Sequence, residues 1–144
     1  MADESRAKDA PLSLEQIAQL LPGTGEIMAS VGEAWWRCAY AARGGNWELA
    51  AYFARRVRGL QRKLAVLRPK YADDLGEFER QLVAPLLSAL DARDGPTFER
   101  LYASATDRAN ELHQKWAKPY IKWVLPDEPP KDLELGPVEE TGRG

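Results

Sequence analysis

Histidine and cysteine are frequent metal ligands and catalytic groups, and this chain of 144 residues has one of each, His113 and Cys38. One imidazole is too few for a multi-histidine metal site, and one thiol is too few for a disulfide or a cysteine-based zinc cluster. Glu111 precedes His113 by two residues, whereas a di-iron bundle needs Glu-x-x-His on two helices. The sequence also lacks a glycine-rich phosphate loop and a serine in a nucleophile elbow. We therefore predict that the protein is not an enzyme and has no metal site.

The composition is typical of one globular domain. Hydrophobic residues make up 44% and charged residues 29% of the chain, and the formal net charge is −2. So small a net charge gives no global attraction to nucleic acid or to a membrane surface, and we predict neither partner. The N-terminal residues lack the apolar run of a secretory signal, and no segment approaches the roughly 18 apolar residues of a membrane span. We therefore expect a cytoplasmic location.

Apolar residues recur three and four positions apart in four long segments, which predicts four amphipathic helices joined by short links. Pro85, inside the third segment, predicts a kink or a local opening of the helical hydrogen bonds. Together these features predict an all-α protein in which residues 13–125 form an antiparallel four-helix bundle with a short N-terminal helix. The four apolar seams are Met28, Val31, Trp35, Cys38 and Ala42; Leu49, Phe53, Val57, Leu60, Leu64 and Leu67; Leu75, Phe78, Leu82, Leu86 and Leu90; and Phe98, Leu101, Ala105, Ala109, Leu112 and Trp116.

Capping residues indicate where the helices begin. Ser13 followed by Gln16 has the capping-box pattern, which predicts the start of the short N-terminal helix. We expect Thr24, Asn46 and Thr97 to cap the first, second and fourth long helices, because their side-chain oxygens can accept the first free N–H groups.

Charge is distributed unevenly along the chain. Residues 126–144 form a proline-rich acidic tail, which we predict to be disordered, as are residues 1–12. The second long helix is basic instead. Its basic face either is simply solvated or binds an acidic protein partner, and the acidic tail could cover it. The cations of this face are Arg55, Arg56, Arg58, Arg62 and Lys63.

Two segments carry a resemblance to a known family. They are GEIMASVGEAWWRCAYAARGGNWELAAY, residues 25–52, and TDRANELHQKWAKPYIKWVLPDEPP, residues 106–130. Together they resemble the class II, cytochrome c-prime type, four-helix cytochromes c, and residues 45–52 are the most specific part. The resemblance implies an antiparallel four-helix bundle that often pairs through its first two helices, so a homodimer is expected. In this family two cysteines of a C-x-x-C-H motif hold haem through thioethers, and the adjacent histidine ligates the iron.

The chain departs from this family at the haem-attachment motif. It has Ala109 and Leu112 in place of the two cysteines and keeps His113, so covalent haem of the usual kind is excluded. Family members are exported to receive haem, and loss of both the cysteines and the export signal implies a cytoplasmic, haem-free descendant. The resemblance also offers Met28 as a second axial ligand. His113 and Met28 would then be the axial ligands of a non-covalent haem.

The former haem cleft is the predicted ligand site. Ala109, His113 and Trp116 share one face of the fourth long helix, and Trp123 with Tyr120 is expected to pack the chain end across the bundle. The tryptophans near the cleft could either plug it or form walls for a flat apolar ligand. The predicted lining is Met28, Val31, Trp35, Ala109, Leu112, His113 and Trp116.

The sequence leaves three functions open. The first is a non-enzymatic binding or interaction protein without a cofactor, whose partner is a small apolar ligand in the cleft or an acidic protein on the basic helix. The second is a b-type haem protein for electron transfer or gas sensing. The third is a structural bundle that oligomerises.

Overall fold

The computed structural model describes residues 10–139, and this part of the chain is all-helical, with no β-strand. Residues 1–9, most of the N-terminal segment expected to be disordered, lie outside the described residues, as do residues 140–144. The elements are α1 (Leu14–Leu20), α2 (Thr24–Gly44), α3 (Trp47–Leu67), a 3₁₀ turn (Pro69–Tyr71), α4 (Ala72–Phe78), a π-helical turn (Glu79–Val83), α5 (Ala84–Asp91) and α6 (Gly95–Lys115).

Local sequence signals determine where α1 and α3 begin. Ser13 and Gln16 form a complete capping box, in which each side chain accepts the backbone N–H of the other residue. Asn46 caps α3, because its Oδ1 accepts the Leu49 N–H at 3.1 Å. These two predictions are confirmed. Gly45, which joins α2 to α3, has a φ of +90°, a left-handed conformation that glycine adopts without strain.

The predicted caps of α2 and α6 are wrong. Thr24 is the first residue of α2, and Gly23 occupies its N-cap position without a side-chain hydrogen bond. For α6 the N-cap is Asp94, whose carboxylate accepts the Thr97 N–H at 3.2 Å. Pro96 fits the first turn, where its missing N–H has no helical partner, so α6 begins earlier than predicted.

The helical hydrogen bonds are disturbed immediately before Pro85. This residue has no N–H to donate to the preceding turn, and the chain forms the π-helical turn Glu79–Val83 between α4 and α5. The predicted local opening is confirmed in this form. Phe78 and Val83, at the two ends of the turn, are buried, so the wider turn still directs apolar side chains into the core.

The core is built from four helical segments. α4, the π-helical turn and α5 together form the third segment. α2 packs along α3, and α3 packs against the third segment. The third segment packs against α6, which also contacts α2. Trp35 of α2 stacks on Tyr102 of α6 with ring centroids 4.4 Å apart. Burial of apolar surface on all sides is the main stabilising contribution in such a core. The largest fully buried side chains are Phe98, Leu86, Leu90, Val31, Val57, Val83 and Cys38.

The short helix α1 does not join this core. None of its residues is buried, and Leu14 and Leu20 remain 86% and 70% exposed. Leu14, Ile17 and Leu21 are three and four positions apart, which places them on one face. The first described helix therefore presents an apolar face that the rest of the described chain does not cover.

The predicted disorder of the acidic tail is wrong for residues 126–139, which lie against α2 and the α2–α3 turn. Leu133 and Leu135 pack on the core, so two apolar side chains offset the cost of ordering a segment that composition alone marks as disordered. Three hydrogen bonds anchor the tail: Tyr40 Oη to the Pro126 carbonyl, Arg37 Nη1 to Asp132 Oδ2 at 3.2 Å, and Asn46 Nδ2 to the Glu134 carbonyl at 2.9 Å.

A close approach at Gly44 makes this path for the tail feasible. The carbonyl oxygen of Leu135 lies 2.2 Å from the point that a Cβ atom at Gly44 would occupy. The absence of a side chain at this helical position is therefore what lets the tail backbone reach α2.

We expect Gly44→Ala to detach the tail. In an open helix, alanine is favoured over glycine by up to about 1 kcal/mol, but here the new Cβ would collide with a backbone atom. Amide hydrogen exchange of residues 132–138 should become faster, and the melting temperature should fall. Gly59→Ala in α3 is the matched control, since no atom lies within 4 Å of its Cβ position. It should leave exchange in the tail unchanged and keep or raise the melting temperature; tail exchange that is equally slow in both variants would contradict the prediction.

Candidate ligand-binding site

An apolar cavity of about 80 Å³ lies between the start of α2, the end of α3, α4 and the end of α6. Aromatic rings and aliphatic side chains form most of its walls. The lining residues are Thr24, Met28, Gln61, Leu64, Tyr71, Asp74, Leu75, Phe78, Ala109, Leu112, His113, Trp116, Lys118 and Trp123. Five of the seven residues predicted for the former haem cleft are among them.

The segment after α6 folds back over this cavity. Ala117, just beyond the helix, has a φ of +60°, which reverses the chain direction. The Lys118 N–H donates to the His113 carbonyl at 2.7 Å and so satisfies one of the last helical acceptors. The reversal brings Trp123, expected to pack across the bundle, into the cavity wall; Tyr120, its expected companion, is 79% exposed instead.

Asn110 holds the returning segment in place. Its Oδ1 accepts the Trp123 N–H at 2.7 Å, and its Nδ2 donates to the Trp123 carbonyl at 3.2 Å. One side-chain amide therefore satisfies both backbone polar groups of a residue outside regular secondary structure. On the opposite side the Trp123 indole lies close to α2 at Gly32, where a Cβ atom would be 3.4 Å from Nε1.

His113 is half-buried beside Trp123. Its Nδ1 lies 3.1 Å from the Ile121 carbonyl oxygen, which assigns the proton to Nδ1. Its ring meets the Trp123 indole edge-on, with centroids 5.4 Å apart. Burial lowers the pKa of His113 below its usual value of 6.5, and the hydrogen bond to Ile121 partly opposes this shift. The imidazole is therefore mainly neutral at pH 7.

Trp116 ties the end of α6 to α4. Its Nε1 donates to Asp74 Oδ2 at 2.9 Å, and Lys115 Nζ contacts the same carboxylate at 2.9 and 3.0 Å. The hydrogen bond from Lys115 is the main reason that the pKa of Asp74 is lowered. The Trp116 ring also packs edge-on against Tyr71 at 4.8 Å. This carboxylate is thus engaged by two donors and serves as a fixed part of the wall.

A larger groove of about 660 Å³ adjoins the cavity along α2. It is lined by both polar and apolar groups, including Trp36 and Arg37 of α2. The two spaces meet at side chains that belong to both walls, so the Trp123 indole borders each of them. The shared residues are Thr24, Met28, His113, Lys118 and Trp123.

The structure brings together most, but not all, of the residues predicted for the cleft. Trp35 lines the outer groove rather than the cavity, because its Nε1 donates to Thr106 Oγ1 at 2.9 Å and its ring stacks on Tyr102. Val31 is fully buried in the core and lines neither space. The predicted residues that do line the cavity are Met28, Ala109, Leu112, His113 and Trp116.

Sequence reasoning missed Gln61, which is only 4% exposed and lines the cavity. Its Oε1 is buried without a hydrogen-bond partner. A signal for it exists in the sequence, since Gln61 lies four residues after Val57 and three before Leu64, on the apolar seam of α3. The other missed wall residues are Thr24, Leu64, Tyr71, Asp74, Leu75, Phe78, Lys118 and Trp123.

The cavity does not fit a porphyrin. Sites for drug-sized ligands have volumes of roughly 300–1,000 Å³, and this cavity has about 80 Å³. The outer groove is larger, and both Met28 and His113 reach its wall. However, the Trp123 indole already lies edge-on against the His113 ring. We therefore assign no haem to this arrangement of side chains.

Cys38 is a core residue. It is fully buried, and its thiol donates to the Ala50 carbonyl, with Sγ 3.3 Å from the oxygen. Burial raises the pKa of this thiol to about 12. The thiolate form needed for nucleophilic chemistry is therefore negligible at neutral pH.

The basic face of α3 remains largely exposed. Arg62 forms a bidentate pair with Glu79, with distances of 2.7 and 2.9 Å. Within residues 10–139 the other four cations of this face, Arg55, Arg56, Arg58 and Lys63, form no salt bridge. The acidic tail does not cover them in its described part, because its hydrogen bonds run to α2 and to Asn46.

Comparisons of the chain with protein-family models, with curated proteins and with solved structures found no match. Within the described range, no group of three or more His, Cys, Asp or Glu side chains has an arrangement that could hold a metal ion. No helix there combines the length and the hydropathy that crossing a bilayer requires. The cytochrome resemblance and the cytoplasmic location stay predictions, and function has to be argued from the site itself.

Acidification should destabilise the protein through His113. Because burial lowers the pKa of His113 in the folded state, the unfolded chain binds a proton at a higher pH than the folded protein does. Well above pH 6.5, His113 is neutral in both states and its titration does not affect the free energy of unfolding. As the pH falls through 6.5 toward the lower pKa of the folded state, proton uptake by the unfolded chain lowers this free energy. The free energy of unfolding in urea should fall over this interval more steeply in the wild type than in His113→Gln.

The same measurement contains its own control. Carboxylates titrate in both proteins, and His113 is the single histidine of the chain, so the difference between the two pH profiles isolates this residue. Parallel profiles would contradict the prediction.

Proposed function

We propose that this protein is a non-enzymatic binding protein, that its helices form an antiparallel four-helix bundle of the cytochrome c-prime type, and that it binds a small apolar ligand. The observation that supports this proposal is the apolar cavity itself, which is lined by five of the seven residues predicted for the former haem cleft. A single aromatic ring or a short aliphatic chain matches both its size and its aromatic walls.

An apolar cavity that binds nothing lowers the stability of the fold. Side chains beside unfilled apolar space forfeit the packing contacts that a filled core would give them. Ala109 contributes to the cavity through its small side chain, and it is buried at 6% exposure. A larger apolar residue at this position would fill the space. The sequence instead keeps alanine where the family resemblance implies a cysteine.

The test is a titration with toluene followed by NMR of the indole N–H signals of Trp116 and Trp123, which line the cavity. We expect saturable shifts of both signals in the wild type. Ala109→Leu should abolish them, because the added side chain occupies the cavity. Ala103→Leu is the matched control, since Ala103 lies on the exposed side of the same helix. Absence of saturable shifts in the wild type, or equal shifts in both variants, would overturn the proposal.

A hemin titration distinguishes the proposal from a b-type haem protein. We expect no sharp Soret band at one equivalent, because the cavity is too small for the macrocycle. A sharp band that is lost in His113→Ala would replace the proposed ligand with haem, and Met28→Leu would then test the second axial position.

Self-association is a second candidate function, and one observation favours it. Helix α1 exposes an apolar face in which Leu14 is 86% and Ile17 is 42% exposed. We propose that this face covers the α1 face of a second copy, so that both copies remove apolar surface from water. The family resemblance implies pairing through the first two long helices, and the apolar face of α1 adds a different contact.

Sedimentation equilibrium over a range of concentrations tests this second candidate. The wild type should approach the mass of a dimer, and the double variant Leu14→Gln, Ile17→Gln should remain a monomer. Gln19→Ala, also on α1, keeps the apolar face and should still dimerise. A wild type that stays monomeric at every concentration, or a double variant that still dimerises, would exclude pairing through α1.

A further inference from the structure

Gln61 is the unusual member of the cavity wall. It is one of two buried polar residues in the described part of the chain, and it is 4% exposed. The oxygen of its side-chain amide has no hydrogen-bond partner. Buried polar groups in folded proteins are almost always hydrogen-bonded, because an unpaired group loses its contacts with water and gains nothing in return. An orphaned amide oxygen at the wall of a cavity therefore needs an explanation.

Two other polar residues of the same wall, Asp74 and His113, already have hydrogen-bond partners. The Asp74 carboxylate accepts hydrogen bonds from Trp116 and Lys115, and His113 is bound through Nδ1 to the Ile121 carbonyl. These groups shape the wall but have their principal partners. Gln61 differs from them, since its amide oxygen has no hydrogen-bond partner and the residue belongs to the cavity wall.

Water alone is a poor partner for this group. An ordered buried water needs two to four polar contacts, whereas most of the cavity wall is aliphatic or aromatic and includes Leu64, Leu75 and Phe78. A ligand that carries one polar atom on an apolar body matches this pattern. Its polar atom can form a hydrogen bond with Gln61 while its apolar body fills the rest of the cavity.

We propose that Gln61 is a specificity-determining residue that selects a neutral ligand with a hydroxyl group, of the phenol or short-chain alcohol class. This inference rests on the proposed function of the cavity and names the chemistry of its ligand. The hydroxyl donates to Gln61 Oε1 while the apolar body lies among the aromatic walls. A hydroxyl also accepts a hydrogen bond from Nε2 in the flipped amide, so it pairs with either orientation of the side chain.

Phenol and toluene are suitable probes, because they have nearly the same shape and differ in one group, a hydroxyl or a methyl. Their affinities are measured by NMR titration of the Trp116 and Trp123 indole signals. In Gln61→Met, which keeps the length of the side chain and removes its polar atoms, the ratio of phenol affinity to toluene affinity should fall about tenfold relative to the wild type. Gln114→Met, at an exposed position on α6, should leave this ratio unchanged.

The outcomes separate the inference from the proposed function. If toluene binds the wild type and the ratio is the same in Gln61→Met, the cavity binds apolar ligands but Gln61 does not select a hydroxyl, and the inference is wrong. If neither probe binds the wild type, both the inference and the proposed function fail. A tenfold loss of the ratio confined to Gln61→Met supports both. Gln61→Met also relieves a buried unpaired amide, so we expect it to fold at least as stably as the wild type.

Discussion

The paired hydrogen bonds between the Asn110 amide and the Trp123 backbone determine the shape of the candidate site. The segment after α6 has no helix or strand partner, and its backbone groups could not be buried without such a substitute. Held by Asn110, Trp123 lies in the wall of the cleft between the helices. The space that remains is divided into a small apolar cavity and a larger groove, both bordered by the same indole.

The cavity wall combines firmly fixed residues with one residue that breaks a packing rule. Trp116, Asp74 and Lys115 form a closed set of hydrogen bonds, which orders one side of the wall. Gln61 and Ala109 work against stability, the first as a buried unpaired amide and the second as a small residue beside empty space. Local violations of this kind within an otherwise consistent fold are typical of functional sites, and they support the proposed ligand site.

Helix periodicity was sufficient to predict much of the fold. The spacing of apolar residues predicted α2, α3, α6 and a third long segment interrupted near Pro85, because these helices bury one face along their whole length. Composition was a poor guide for the tail, where Leu133 and Leu135 outweigh a proline-rich, acidic sequence. The position of Trp123 depends on its contacts with Asn110 and Gly32, which are distant in sequence and visible only in the folded chain.

The hydrogen bond at His113 is compatible with both the haem and the haem-free interpretations. Metal-bound histidines commonly donate their second ring N–H to a backbone carbonyl, which fixes the ring orientation. His113 makes such a bond through Nδ1 to the Ile121 carbonyl, so this contact alone is equally compatible with a metal ligand. The same bond also anchors the segment that carries Trp123 into the cavity wall. Because the acceptor belongs to the segment that carries Trp123, the contact that would orient an axial ligand also fixes an indole in the wall of the cleft.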